Sequence, residues 1–353
     1  GIPVMMAFRQ FLPSIPEEAI AAGRIDFWEM CRPMISDPEL PAKVREGREN
    51  EIIPCIACNL CFSRLYYHQP IMCSVRPSLG HEGDADFGYY GFQAANRQKK
   101  IVVVGGGPAG LQCAAVAAQR GHSVILYEQG SELGGNILLA SRVDKGAIEL
   151  LRPIRTLEAV CTNSGVDIRM GVAFSDKMFD HDNPDALIIA SGGRVRATPF
   201  RNILTPAEII SGAKPVGKRV LIIGRRGAGL GVAVFLLNHG EHEITIIEEG
   251  TKIGRDVNPF YLWQYVALMK KSKATMLAQT RVTHVADNAA LLSGISGDIE
   301  IPVDTAIMSL FDPAVQWTAG PKDGQDVYYI GDARRPRRLN NAIHDAFKLG
   351  MVI

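Results

Sequence analysis

The sequence predicts an α/β protein with nucleotide-binding folds, and three observations lead there. Ile101-Val-Val-Val-Gly105-Gly-Gly107-Pro-Ala-Gly110 is an apolar run that breaks into a glycine triplet and then a helix-forming stretch. Such a strand, loop and helix opens a βαβ unit. A second unit begins at Arg219-Val-Leu-Ile-Ile-Gly224 and closes at Glu243-Ile-Thr-Ile-Ile-Glu248. Residues 1–46 read strand, helix, strand, helix. Two such units cannot bury a parallel sheet on both faces, so their partner strands must come from elsewhere.

At 353 residues the chain has room for two or three domains. Lys and Arg number 38 against 37 Asp and Glu, a net charge of +1, which gives no reason to expect nucleic acid or an anionic membrane. No apolar run approaches the roughly 20 residues of a membrane span. Seven cysteines, four of them clustered, suggest a reducing compartment rather than a disulfide scaffold, so a cytoplasmic location is expected.

In chain order, Gly1 to Phe8 is expected as a buried strand, and Ser14-Ile-Pro-Glu17 as a capping box opening a helix that ends near Gly23. Ile25 to Met30 is a second apolar strand and Pro38 to Glu46 a second helix. Residues 47–98 hold the cysteines, with a glycine-rich linker from Gly80 to Ala95. The first βαβ unit continues as a helix to about Gln119 and a strand Ser123 to Glu128. Asp185 to Gly192 is a further buried strand, 282–308 a set of short strands, and Val327 to Asp332 a last strand before the final helix. The two βαβ halves repeat weakly, so two nucleotide-binding folds are expected.

Cys55, Cys58, Cys61 and Cys73 form a C-x2-C-x2-C-x11-C pattern. Thiolates hold iron, and three at this spacing wrap one corner of a compact 4Fe–4S cluster. Zinc is the rival, but structural zinc sites usually use two separate cysteine knuckles and the second is absent. Gly105, Gly107 and Gly110 form a dinucleotide fingerprint. The first makes the turn, the second admits a pyrophosphate, and the third packs helix on strand. Glu128, eighteen residues beyond Gly110, would hold a ribose. Gly135, in Leu133-Gly134-Gly135, would make a second close approach to the same ligand. Asp332, in Gly331-Asp332, would accept from a ribityl chain or serve as a helix cap.

The second fold deviates. Gly224-Arg225-Arg226-Gly227-Ala228-Gly229 has Arg226 where a side chain is normally absent, so NAD(H) is either blocked or met by a guanidinium. Glu248 favours NAD over NADP. His344 is the most interesting histidine, with helix packing its simplest role. Arg9 and Arg32 each follow a strand, as residues at a barrel phosphate site do, and as solvated arginines also do. No catalytic triad or carboxylate pair is visible, and the catalytic residues stay unknown.

Taken together, Arg32-Pro-Met-Ile-Ser-Asp37-Pro38, Pro54-Cys55-Ile-Ala-Cys58-Asn59, Pro70-Ile-Met-Cys73, the first glycine motif and Gly331-Asp332-Ala333 are similar to the C-terminal part of a known family. The chain resembles the Old Yellow Enzyme-related iron–sulfur flavoproteins, the trimethylamine dehydrogenase / 2,4-dienoyl-CoA reductase family. The resemblance implies the end of a (β/α)8 FMN barrel over 1–46 and a cluster segment with linker over 47–98. It implies an FAD- or ADP-binding domain over 99–212 and 302–353, with an NAD(P)-binding-like domain inserted at 213–301. It makes Arg9 and Arg32 ligands of the FMN phosphate, beside Cys31 where relatives usually have glycine. Six further βα units are then expected before Gly1 or on a partner subunit of an oligomer. The cysteine spacing and Arg226 favour dehydrogenation of a small methylated amine, with electrons leaving to an electron-transfer flavoprotein or another acceptor. NAD(P)H-dependent enoate reduction is the alternative, and a diaphorase-like electron-transfer subunit the third.

Overall fold

The computed structural model describes residues 1–353 apart from 8, 85–86, 88–91, 225–226, 296 and 315–323. It divides into two compact units, one of residues 1–135, 150–192 and 315–353, the other of 136–149 and 193–314.

The first unit is built on a five-stranded parallel sheet in the order Asp326–Tyr329, Ala186–Ile189, Lys100–Val104, Ser123–Glu128, Asp167–Met170. Its central strands are continuous apolar runs because both faces are covered, and Val102, Leu187 and Ile188 have no exposed surface. The helix Pro108–Gln119 follows the glycine loop and is buried from Ala109 to Ala117. Its small residues let the final helix, Leu339–Val352, come close. At Gly350 an added Cβ would lie 2.8 Å from Val116 Cβ.

Ahead of the sheet, Met5–Ala7 pairs in parallel with Phe27–Glu29. The strand expected to be buried is exposed instead, Met5 at 59% and Met6 at 40%, because among the described residues Phe27–Glu29 is the strand it pairs with. The expected capping box at Ser14 does not form. Pro13 already has helical backbone and is the N-cap, so Ser14 lies inside the helix Ser14–Ala21 and its side chain caps nothing. Beyond these strands, the helix Leu40–Arg45 packs Leu40 against Phe11 and Ile52.

The second unit carries a parallel sheet in the order Thr275–Ala278, Glu243–Glu248, Arg219–Ile223, Thr305–Met308, Ile203–Leu204. It also has an antiparallel sheet of Thr280–Val285, Ala289–Gly294 and Gly297–Pro302. The unit is wider than the expected 213–301. Thr305–Met308 pairs with Arg219–Ile223 on one side and Ile203–Leu204 on the other, which draws both flanks into this sheet. Val143 joins the same core, bringing 136–149 with it. A capping box is present here, at Thr205 and Glu208, which opens the helix Pro206–Ile210. Among the described residues, no helix is long and apolar enough to cross a membrane.

Candidate cofactor sites

The strand Lys100–Val104 delivers the chain to Gly105, whose φ of 110° only glycine adopts readily. A Cβ there would meet Ala190 O at 2.5 Å, and one at Gly110 would meet Gly105 O at 1.8 Å. Loop, helix and neighbouring strand are therefore in backbone contact. Gly107 is different: a Cβ would find nothing within 4 Å. The space beside it is open, and the 12-residue helix it caps has no side-chain cap. The first N–H groups of that helix are left for an anion, with the helix dipole behind them.

The other expected residues gather at the same place. Glu128, at the end of the next strand, accepts from Gly106 N and Gly130 N, each at 2.7 Å. Gly134 N donates to Gly106 O at 2.9 Å, and a Cβ on Gly135 would lie 3.4 Å from Gly107 Cα. Gly331 packs on the first helical turn, its added Cβ 2.8 Å from Ala109 Cβ, and so brings Asp332 alongside. The Asp332 carboxylate accepts from Arg337 N at 2.9 Å and does not cap the final helix, whose N-cap is Arg338. Open space at Gly107, helix N-terminal amides without a side-chain cap and a ribose acid on the adjacent strand fit an adenine dinucleotide.

Cys55, Cys58, Cys61 and Cys73 line one cavity, together with the polar side chains of Arg32, Asn59 and Ser74. Ala57 and Asn59 have φ of 55° and 53°, left-handed values that turn the chain between cysteines and aim successive sulfurs at one space. Ala57 holds this geometry at a cost of about 1–3 kcal/mol. Burial pushes the Cys73 thiol up to about 12, and raises Cys55 and Cys61. The charge of Arg9 opposes the rise at Cys55, and that of Arg32 opposes it at both Cys55 and Cys61. Among the described residues no three His, Cys, Asp or Glu side chains are arranged to hold a single metal ion. The donor set, four thiols around one cavity, fits a four-iron cluster, whose cysteines sit at separate corners.

Arg9 and Arg32 both reach this segment. Arg9 Nη1 donates to Cys55 O at 2.5 Å, and Arg32 Nη1 to Asn59 Oδ1 at 3.1 Å. His344 joins it from the last helix, its Nε2 2.7 Å from Cys73 O. Sequence reading did not single out Ser74, whose Oγ is 3.1 Å from Cys58 Sγ. Its place directly after Cys73 was the available signal. Of the remaining cysteines, Cys113 and Cys161 are buried away from the cavity and Cys31 is exposed.

At its described residues, the second unit repeats the anchoring bonds of the first loop. Gly105 N donates to Tyr127 O at 2.8 Å, and Gly224 N to Ile247 O at 3.2 Å. Glu248 Oε1 accepts from Gly250 N at 2.6 Å, as Glu128 Oε1 does from Gly130 N. Gly224 has φ of 147°, and a Cβ on Gly229 would lie 3.0 Å from Gly224 O. Arg226, expected either to block or to pair with a phosphate, lies outside the described residues.

Residues 99–316 match the pyridine nucleotide-disulphide oxidoreductase family. The chain is 32% identical over 370 residues to the NADH oxidase of Thermoanaerobacter brockii, an alignment covering 100% of the chain and 56% of that protein. It is 27% identical to the dimethylamine dehydrogenase of Hyphomicrobium sp. (strain x), covering 99% and 55%. In structure it is similar to a 2-naphthoyl-CoA reductase in complex with 2-naphthoyl-CoA, at a TM-score of 0.89 and 33% identity, covering 99% of the chain and 54% of the other. The chain spans about half the length of the curated relatives it matches.

Proposed function

The chain belongs to the pyridine nucleotide-disulphide oxidoreductase family and matches the C-terminal part of the Old Yellow Enzyme-related flavin/iron–sulfur oxidoreductases; from this we propose that it serves an NAD(P)H-dependent reductase of conjugated acyl substrates. In this reading FAD occupies the first glycine loop, NAD(H) the second, and a 4Fe–4S cluster the cysteine cavity, with FMN in a barrel to which residues 1–46 contribute. The remainder of that barrel lies on the same polypeptide or on a partner subunit. The observation that carries the reading is the close approach of Gly229 to Gly224 O in the second unit, with a buried acid at Glu248. The similarity to an NADH oxidase and a naphthoyl-CoA reductase supports the same order of preference.

Bound flavin takes electrons as a pair from a nicotinamide, and a cluster passes them on singly. The chain's own groups hold and shield. Gly107 leaves room for a pyrophosphate over the helix N-terminus, and Glu128 and Asp332 would accept from the sugar-like chain on either side. Glu248 would read the ribose of the nicotinamide nucleotide. Arg9 and Arg32, tied to the cysteine segment, would offer their remaining donors to the FMN phosphate. That arrangement would fix the flavin site and the cysteine loop to one another.

A second reading, oxidation of a small methylated amine with electrons passed to an external acceptor, is favoured by the C-x2-C-x2-C spacing. Anaerobic stopped-flow decides between them. Flavin bleaching by NADH or NADPH, with none by methylated amines, supports the reductase. Bleaching by the amines alone overturns it. Bleaching by NADH with no acyl substrate turned over identifies a diaphorase-like subunit.

A further inference from the structure

Both backbone and side-chain groups reach the sulfurs of the cysteine cavity. Backbone N–H groups donate to three of them: Ala57 to Cys55, Phe62 to Cys61, and Val75 and Arg76 to Cys73. Beside Cys58 stands a side chain within hydrogen-bond distance of its sulfur. Ser74 Oγ stands 3.1 Å from Cys58 Sγ, and Ser74 is 6% exposed. Its hydroxyl is therefore shut away from water and faces the cavity that the four cysteines share. Once Cys58 is a metal-bound thiolate it has no proton to give, so Ser74 must be the donor.

We propose that Ser74 sets the reduction potential of the cluster through its hydrogen bond to Cys58. The inference rests on the reading that the four cysteines carry a 4Fe–4S cluster. One-electron reduction adds negative charge to the cluster and its ligand sulfurs. A donor aimed at a ligand sulfur stabilises the reduced form more than the oxidised one, and the potential rises. Burial strengthens the effect, because no water competes for the hydroxyl proton. Ser74 is a positioning and tuning residue here, since it touches a ligand and not the substrate. It is also the donor that mutation can remove, which the backbone amides do not allow.

The test compares wild type, Ser74→Ala and Ser74→Thr as anaerobically purified full chains, measuring iron, acid-labile sulfide and the cluster midpoint potential by EPR-monitored titration. The expected result is about four irons in all three. The midpoint shifts to a more negative value in Ser74→Ala and returns towards wild type in Ser74→Thr, which keeps the hydroxyl. The reduced wild-type cluster should also show an exchangeable proton coupling beyond those of the backbone amides, one that persists in Ser74→Thr and is absent from Ser74→Val, which has the size of threonine without its hydroxyl. That measurement stands even if Ser74→Ala loses its iron. A fully loaded Ser74→Ala with an unmoved midpoint overturns the proposal and leaves the cluster intact as a reading, as does a wild-type cluster without the exchangeable coupling. One zinc and no sulfide in wild type overturns both.

Discussion

The backbone N–H of Gly106 donates to the carboxylate of Glu128 across two parallel strands, at 2.7 Å. The bond makes the two halves of a nucleotide site interdependent. The loop that would cradle phosphate is pinned by the acid that would read ribose, and the acid is oriented by the loop. Gly130, donating to the other carboxylate oxygen, completes the clamp.

Two glycines of this loop should respond in opposite ways to the same substitution. Gly107→Ala meets open space, so it should fold with a melting temperature close to wild type and lose bound adenine nucleotide. Gly110→Ala drives a methyl into Gly105 O, a backbone atom that cannot swing aside. It should cost on the order of 1–3 kcal/mol or more, and melting should fall by several degrees. Mass analysis of nucleotide released on denaturation, beside thermal melts, checks both.

Iron content should sort the cysteines. Ser substitution at Cys55, Cys58, Cys61 or Cys73 should each remove most of the iron. Cys113→Ala and Cys161→Ala, which lie in helices Pro108–Gln119 and Arg152–Asn163, should leave it unchanged. Retention of four irons in any of the first group would exclude that residue as a ligand.

Asp37 is a buried hub. It accepts from Lys43 Nζ at 2.8 Å, from Glu39 N and from Ile53 N, and the side chains of the Lys43–Asp37 pair are 9% and 2% exposed. Asp37→Asn leaves the ammonium buried and uncompensated, which should destabilise the first unit by about 3 kcal/mol. The double variant Asp37→Asn/Lys43→Met should recover part of that loss. Denaturant titrations of the single and double variants measure the coupling.

His122 should make stability depend on pH. Burial holds its pKa below the ordinary histidine value of 6.5, with the charges of Arg120 and Lys99 acting the same way. Its Nδ1 is positioned to accept from Lys99 N at 3.1 Å, a role the imidazolium cannot fill. The folded state thus binds the proton less readily than the unfolded chain. The contribution is complete above pH 6.5 and declines as pH falls below it. Melting temperature should drop more steeply from pH 7.5 to 5.5 in wild type than in His122→Asn. Equal slopes would assign the pH dependence to other groups.

The sequence made the βαβ units legible almost to the residue, because two buried faces demand continuous apolar runs and the glycine loop demands its triplet. The strand Ser123–Glu128 and the end of the helix at Gln119 fall where the pattern put them. That Cys55, Cys58, Cys61 and Cys73 come to one cavity was legible from their spacing. Less visible were features that depend on distant pairing. Ile203–Leu204 is two residues long and has no pattern of its own, and only its neighbour Thr305–Met308 assigns it to the second sheet. The turn of Arg9 and Arg32 towards Cys55 and Asn59 is likewise a matter of tertiary geometry. Ser14 misled because a capping motif specifies a local bond, while Pro13 had already begun the helix.

The contact between His344 and Cys73 O spans 271 positions of sequence. The same helix lays Ala342 against Gly331, which packs on the first turn after the nucleotide loop. Both sites are thus closed by one late segment, across loops whose entropy must be lost before any of these contacts form. Until residues 339–352 dock, Ile343 does not cover Ile56 and Val75 behind the cysteine cavity, and the carbonyl of Cys73 lacks its His344 partner. The order of the cysteine segment is thereby tied to the last fourteen-residue helix of the chain.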